Sequence, residues 1–289
     1  MTEPKLRQFF DHPRHFRENK FVYPVVSRRS RGLSIGINLN PDRICNFDCI
    51  YCQVDRRSEA EQRFVETDRL VAELQALLAF IASGDLYQDP DFADVPLELR
   101  RINDIAFSGD GEPTSHRNFD ELVGLVADSK RRHGLDHVKL VLITNASLFH
   151  RPRVERGLHI LDDNQGEIWA KLDAGTEAYY RLVERTAVPF SLVLDNIRAA
   201  AQQRALVIQS LFMRIREQPP AVAEVEAFCD RLCEILADGG QLSAVQIYTI
   251  ARPPAVSWVE ALLDAEVDAI AETVAGRIPV PVERYYGRS

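Results

Sequence analysis

Long apolar runs and internal repeats are absent from this 289-residue chain, and cysteine is scarce. No apolar stretch approaches the roughly eighteen residues that a membrane-spanning helix needs, which excludes a helical membrane protein. The N-terminal stretch MTEPKLRQFFDHPRHFR lacks the apolar core of a secretory signal. Five cysteines do not form the disulfide framework of a small secreted protein. We therefore expect a cytoplasmic protein that makes no membrane contact.

Disorder is excluded as well, because hydrophobic residues make up 46% of the chain and charged residues 27%. The net charge of −8 is unevenly spread: residues 1–32 form a basic arm of charge +5, and the remainder carries −13. Such an arm suits phosphate groups of a nucleotide, nucleic acid or small substrate, or else pairs with the chain's own acidic surface. The acidic body argues against a large nucleic-acid footprint.

Past the arm, short apolar runs alternate with amphipathic stretches, the pattern of βα units around a parallel sheet. Six strands are predicted, at 33–39, 102–109, 138–144, 167–173, 206–213 and 244–250. Six βα units are fewer than the eight of a closed barrel. We therefore predict an α/β fold, a partial (β/α)6 barrel over 33–250, between the basic arm (1–32) and a C-terminal helical extension (251–289).

Three of the five cysteines, Cys45, Cys49 and Cys52, fall within eight residues at C-x3-C-x2-C spacing, directly after the first predicted strand. Thiolates are soft ligands that suit iron–sulfur clusters and zinc. A structural site of either kind usually has four ligands, and only three are local here. The other two, Cys229 and Cys233, lie four apart on a predicted helix and are interpreted as small apolar residues. Three thiolates on a cubic cluster leave one iron open for chemistry.

Active-site residues of β/α folds collect where strands end, and a second motif, GDGEP at 109–113, ends the second predicted strand. Together, the cysteine triplet with its aromatic Tyr51 and this loop resemble the radical S-adenosylmethionine (SAM) superfamily over about residues 33–250. Asp110-Gly111-Glu112 takes the place of that superfamily's glycine-glycine-glutamate element. Asp110 departs from the commoner glycine, and Glu112 is kept.

The resemblance implies a radical SAM enzyme in which the three cysteines ligate a [4Fe–4S] cluster and SAM binds its fourth iron. One-electron cleavage of SAM would give methionine and a 5′-deoxyadenosyl radical that abstracts hydrogen from a substrate. Glu112 would accept a hydrogen bond from the methionine ammonium. The glycines beside Asp110, Gly111 among them, would let the backbone approach the ligand. Tyr51 would lie against adenine.

Two further pairs are candidate SAM or substrate contacts. In the fourth predicted strand, Lys171 and Asp173 share the face that should look into the barrel, where they either touch a ligand or form a structural ion pair. Thr144 and Asn145 end the third strand, where they either meet a ribose hydroxyl or cap a turn.

Within the superfamily, the cysteine loop, GDGEP and the strand ends look most like the group that includes the wyosine-base synthases, which modify a guanine in transfer RNA. Those synthases carry a second, N-terminal cysteine set, and residues 1–44 here contain no cysteine. The substrate class, whether small molecule, peptide or tRNA, therefore stays open. An activase of a glycyl radical enzyme is an alternative, and an Fe–S electron carrier or a zinc-binding module are alternatives from other classes. The resemblance also implies an external one-electron reductant of flavodoxin or ferredoxin type.

Overall fold

The computed structural model describes residues 14, 16–56, 58–60, 62–254 and 256–287. Fourteen of the 32 residues of the predicted basic arm, 1–13 and 15, lie outside the described residues. The chain forms two compact units. Unit 1 comprises Met1–Ile44, Glu59–Leu142 and Pro152–Glu167, and unit 2 comprises Cys45–Ser58, Ile143–Arg151 and Ile168–Ser289.

The strands are β1 (Val22–Ser27), β2 (Gly32–Ile37), β3 (Ile102–Phe107), β4 (Lys139–Thr144), β5 (Gly166–Lys171), β6 (Leu206–Leu211), β7 (Met213–Ile215), β8 (Leu242–Tyr248), β9 (Val259–Ala261) and β10 (Val282–Tyr285). The α-helices are α1 (Thr67–Ala82), α2 (Phe119–Arg132), α3 (Pro152–Asp162), α4 (Glu177–Glu184), α5 (Phe190–Gln203), α6 (Val222–Ala237) and α7 (Asp264–Ala275). Among the described residues, no helix is both long and apolar enough to cross a bilayer.

In unit 1, β2 pairs in parallel with β3, and β3 with β4, while β1 is added to β2 as an antiparallel edge strand. An edge position tolerates Pro24, which has no N–H to donate. The entry to β1 is fixed by α1, because the buried Glu73 carboxylate accepts hydrogen bonds from the backbone N–H groups of Lys20 (2.9 Å) and Phe21 (2.8 Å). The basic charge of residues 1–32 conceals this apolar strand in the sequence.

In unit 2, β5, β6, β8 and β10 pair in parallel in that order, and β7 pairs with β9 as a separate antiparallel ribbon. Strand β6 is buried along its whole length, as expected of a strand covered on both faces. Helix α6 approaches the loop after β5 so closely that a Cβ on Gly175 would lie 2.1 Å from the backbone nitrogen of Phe228. Glycine at this position therefore sets the helix–loop distance.

All six predicted strands are present within a few residues, as β2, β3, β4, β5, β6 and β8. The predicted C-terminal helical extension (251–289) is wrong at its start, because Val259–Ala261 forms β9 against β7 and α7 begins only at Asp264. The short apolar triplet has the length of a strand, and its pairing partner is distant in sequence. The division into arm, barrel and extension stays a prediction.

Candidate functional site

The three clustered cysteines lie on one loop of unit 2, and all are free thiols that are partly exposed. The loop backbone is docked on the end of α4. The N–H groups of Asp48 and Ile50 donate to the carbonyls of Glu184 (3.1 Å) and Val183 (2.9 Å). Last-turn carbonyls of a helix have no intrahelical partner, so these hydrogen bonds pair the carbonyls of α4 with the N–H groups of the loop. The cysteine loop is therefore held by its backbone, independently of the thiols.

A second set of contacts joins the cysteine loop to the end of β4. The Asn46 side chain donates to Ser147 Oγ (2.7 Å) and accepts from Asn145 Nδ2 (2.9 Å), and the backbone carbonyl of Asn46 accepts from Thr186 Oγ1 (2.7 Å). Asn145, a predicted cofactor contact, is thus brought to the cysteine loop. Thr144 Oγ1 accepts from the backbone N–H of Ala146 (3.0 Å), which is the turn-capping alternative. Whether either residue contacts a ligand stays a prediction.

The Cys49 thiol contacts a buried carboxylate that the sequence did not reveal. Its sulfur is 2.7 Å from Oε2 of Glu184, the last residue of α4. Burial, followed by the charge of Asp173, raises the pKa of Glu184 well above its usual value. Burial and Glu184 likewise raise the pKa of the Cys49 thiol. Glu184 lies far from the cysteines in sequence and belongs to no motif, so no sequence signal pointed to it.

Tyr51, Lys171 and Asp173 meet in one buried network. Asp173 accepts hydrogen bonds from Tyr51 OH (2.5 Å) and the backbone N–H of Leu211 (2.7 Å), and it forms an ion pair with Lys171 Nζ at 3.1 Å. Lys171 Nζ also donates to Tyr248 OH (2.7 Å) and lies 5.0 Å from the Tyr51 ring centroid. The ion-pair alternative for Lys171 and Asp173 is therefore realised, and the pair is attached to the cysteine loop through Tyr51.

Burial lowers the pKa of Lys171, but the charge of Asp173, followed by Tyr248 and Glu184, outweighs it, so the net shift is upward. At neutral pH, Lys171 is therefore an ammonium ion and not a nucleophilic amine.

A row of polar side chains continues from Lys171 across the sheet of unit 2. Lys171 is in register with Gln209 of β6, Gln209 with Gln246 of β8, and Gln246 with Glu283 of β10. Gln209 donates to Gln246 Oε1 and Gln246 to Glu283 Oε2, both at 2.9 Å. Gln246 and Tyr248 were missed, although their alternation in AVQIYTI places them on one face of the strand.

The GDGEP loop lies in unit 1, where it follows β3. Asp110 accepts from Arg14 Nη1 (2.6 Å) and Asn38 Nδ2 (2.7 Å), so the residue that replaces glycine has two partners in its own unit. A Cβ on Gly111 would lie 2.3 Å from the carbonyl oxygen of Ile44. Only glycine fits there, because the loop packs against the chain's own backbone; its predicted approach to a ligand stays a prediction.

Glu112 is buried, and its Oε1 accepts from the hydroxyl (2.6 Å) and backbone N–H (3.1 Å) of Thr114. These two hydrogen bonds fix the orientation of the Glu112 side chain. The loop therefore presents an oriented carboxylate.

The helix cysteines do not join the site. Cys229 is buried on α6, and Cys233 on the same helix contacts the carbonyl of Arg277. The interpretation of Cys229 as a small apolar residue agrees with its burial.

Comparison with known proteins is consistent with this geometry. The family model of the Radical SAM superfamily matches residues 39–213. The UPF0026 protein MJ1312 of Methanocaldococcus jannaschii is 30% identical over 176 residues, which is 60% of this chain and 46% of that protein. A UPF0026 protein of Helicobacter pylori strain 26695 is 24% identical over 237 residues, 80% of this chain and 66% of that protein. The matched regions thus span less than two thirds of these relatives.

Among solved structures, "Structure of TYW1 with a lysine-pyruvate adduct bound" is similar, with a TM-score of 0.54 and 13% identity over 93% of this chain and 80% of that one. That likeness concerns the fold alone, and it confirms the predicted α/β fold of partial-barrel type. The family match covers more than half of the chain and confirms the enzyme class and its two cofactors, a [4Fe–4S] cluster and SAM. The chain belongs to the radical SAM superfamily.

Proposed function

We propose that Cys45, Cys49 and Cys52 are the three protein ligands of the [4Fe–4S] cluster. The observation that carries this assignment is the loop itself, which presents three partly exposed cysteines, none of them in a disulfide, on a backbone already fixed by α4. Soft thiolates are the donors that such clusters take.

The donor arrangement also speaks against a zinc site. Within the described part of the chain, no group of three or more His, Cys, Asp or Glu is arranged to hold a single metal ion. A cubic cluster makes a different demand, because each cysteine binds a different iron and the sulfurs need not converge on one point. Three cysteines then leave one iron without a protein ligand, so the residues present fit the group.

Glu112 is the proposed partner of the SAM ammonium, and Gly111 and Asp110 shape the loop that presents it. The support is the burial of the Glu112 carboxylate and its orientation by Thr114. A buried carboxylate facing an ammonium gives a charge-assisted hydrogen bond, roughly twice as strong as a neutral one. We retain Tyr51, Thr144, Asn145, Lys171 and Asp173 as proposed cofactor or substrate contacts.

When both cofactors are bound, one-electron cleavage of SAM supplies a 5′-deoxyadenosyl radical that abstracts hydrogen from the substrate. The chain's own residues bind, orient and shield. Glu112 holds the ammonium, and the α4 contacts hold the cysteine loop. The Lys171–Asp173–Tyr51 network, which is largely buried, also fixes this loop through Tyr51.

The substrate is proposed only by class, as a small molecule, a peptide or a tRNA base, with activation of a glycyl radical enzyme as the other option. An external one-electron reductant is required. We also propose a cytoplasmic location, since all five cysteines are free thiols, as is usual in reducing compartments.

The test is anaerobic reconstitution with iron and sulfide, addition of dithionite and SAM, and chromatography for 5′-deoxyadenosine. We expect the wild type to form it and C49A to lose both product and cluster absorbance. The matched control is C233A, which removes a half-exposed cysteine of α6 and should keep both. Formation of a normal cluster by C49A would refute the ligand assignment.

Glu112 is tested separately, because its loss should spare the cluster. E112Q keeps the size of the side chain and should weaken SAM binding about tenfold or more, as loss of a charge-assisted contact of roughly 1.5–3 kcal/mol predicts. E177Q, at an exposed position on α4, is the control. Unchanged SAM affinity in E112Q would remove Glu112 from the site.

A further inference from the structure

Two exposed arginines and a half-buried tryptophan form a surface patch beside the cysteine loop, here called the arginine–tryptophan patch (Arg185, Arg216 and Trp258). The Arg185 guanidinium carbon lies 5.5 Å from the Trp258 ring centroid, and that of Arg216 lies 6.0 Å from it. The backbone N–H of Arg216 donates to the carbonyl of Trp258 (2.8 Å). Cation–π contacts at these distances hold the three side chains together at the surface.

The patch is attached to the cysteine loop by short links. Arg185 directly follows Glu184, whose carboxylate contacts Cys49 Sγ and whose carbonyl accepts from the N–H of Asp48. Trp258 packs on an apolar cluster that includes Ile50, the neighbour of Cys49. A molecule bound on this patch would therefore lie next to the proposed cluster ligands.

The patch has binding capacity that the fold does not use. Arg185 is 42% exposed, and its ion pair with the exposed Asp48 spans 3.9 Å, too long for a hydrogen bond. Arg216 is exposed, and among the residues that the structure describes neither its guanidinium nor the indole N–H of Trp258 has a hydrogen-bond or ion-pair partner. The nearby Glu266 carboxylate forms its ion pair with Arg214 instead, at 2.6 Å. Arginine and tryptophan are the residues most enriched at binding hot spots.

We propose that the arginine–tryptophan patch is the docking site for an acidic one-electron carrier protein that reduces the cluster. The inference rests on the proposed function, which needs such a reductant. The carrier binds through surface carboxylates, which pair with Arg185 and Arg216, while an apolar or carbonyl group meets Trp258. The reduced carrier gives up one electron on docking, and that is the one electron consumed when the S–C5′ bond of SAM breaks.

Charge complementarity favours this occupant over RNA. The chain carries a net charge of −8, so an acidic carrier is repelled by most of the surface and steered to a local cationic spot. Complexes of redox partners are small and transient, typically below about 1,200 Å² of total buried surface, which suits a patch of three side chains. A stable RNA complex would need many phosphate contacts, and two arginines supply few.

The test compares two ways of reducing the same reconstituted enzyme. One uses saturating dithionite, and the other uses limiting flavodoxin with NADPH and flavodoxin reductase; the readout in both is the rate of 5′-deoxyadenosine formation. For the variant R185E/R216E we expect the flavodoxin-driven rate to fall at least tenfold at low salt and the dithionite-driven rate to stay within twofold. The wild-type flavodoxin rate should also fall as salt rises, because steering between charges is screened.

The matched control is R204E/R277E, which makes the same change of charge at positions that precede β6 and β10, at the opposite ends of the strands from the site. It should keep both rates. Arg185 adjoins the cysteine loop, so its substitution could impair loading of the cluster. R216E alone leaves that loop unchanged and should still lower the flavodoxin-driven rate severalfold.

The outcomes separate two failures. If dithionite yields no product with the wild type, the proposed function fails. If dithionite works and R185E/R216E keeps its flavodoxin rate, the docking inference is overturned. Loss of tRNA binding in R185E/R216E, with an unchanged flavodoxin rate, would overturn it too and assign the patch to RNA.

Discussion

Replacing Asp173 by Asn should destabilise unit 2, because it leaves the Lys171 ammonium in place without its counter-charge. The carboxylate accepts from three donors: Tyr51 OH, the N–H of Leu211 and Lys171 Nζ. An amide of the same size carries no charge, and its NH₂ group must face one of these donors.

The magnitude follows from the burial of the pair. Removing one partner of a buried ion pair costs roughly 3–5 kcal/mol. The Asp173 side chain is fully buried and that of Lys171 is 19% exposed, so we expect the lower end, about 3 kcal/mol. K171M leaves Asp173 with its two other donors and should lose about 1–2 kcal/mol. The double variant should be less destabilised than the sum of the two, by about 1–2 kcal/mol.

The assay is urea unfolding of the cluster-free protein for wild type, D173N, K171M and K171M/D173N. D195N, which alters an exposed carboxylate of α5, is the control and should change the free energy of unfolding by less than about 0.5 kcal/mol. A loss below about 1 kcal/mol in D173N, or additive single effects within about 0.5 kcal/mol, would refute a coupled buried network.

Three further predictions concern unit 1. G111A should weaken SAM binding about tenfold or more, since the added Cβ would lie 2.3 Å from a carbonyl oxygen. G124A is the control and should keep its affinity, because its added Cβ has its nearest contact at 4.0 Å; equilibrium dialysis with the cluster-loaded protein measures both. K130M should cost roughly 2–4 kcal/mol in urea unfolding, because the buried ammonium donates to the carbonyls of Val138 and Asn164, while K139M, at an exposed pair, should cost less than about 1 kcal/mol. Burial raises the pKa of Asp104, so its stabilising contribution is largest at acid pH and is lost as pH rises from about 4 through the raised pKa. In thermal unfolding, the stability of the wild type relative to D104N should therefore fall as pH rises from about 4, and a difference that does not change with pH would contradict this assignment.

Much of the candidate site follows from local sequence. The cysteine spacing and GDGEP are contiguous motifs, and each places its residues on one loop whatever the rest of the chain does. The six barrel strands are continuous apolar runs, and burial of such runs is required in any fold that this chain adopts. Strand β1 was hidden because basic residues dominate the composition of 1–32, although its own six residues are apolar or small.

What only the tertiary structure decided is which distant groups meet those loops. Glu184 reaches Cys49 because α4 ends against the cysteine loop. Asp173, just after β5, reaches Tyr51 of the same loop and accepts a hydrogen bond from its hydroxyl. Trp258 meets Arg216 because the β7–β9 ribbon pairs segments about forty residues apart. Arg185, which follows α4, contacts the same tryptophan ring. The sequence by itself determined the cofactors, since ligand type and spacing are local properties. The buried charges around the cysteines and the arginine–tryptophan patch depend on pairings between remote segments, which chain topology sets and local pattern does not encode.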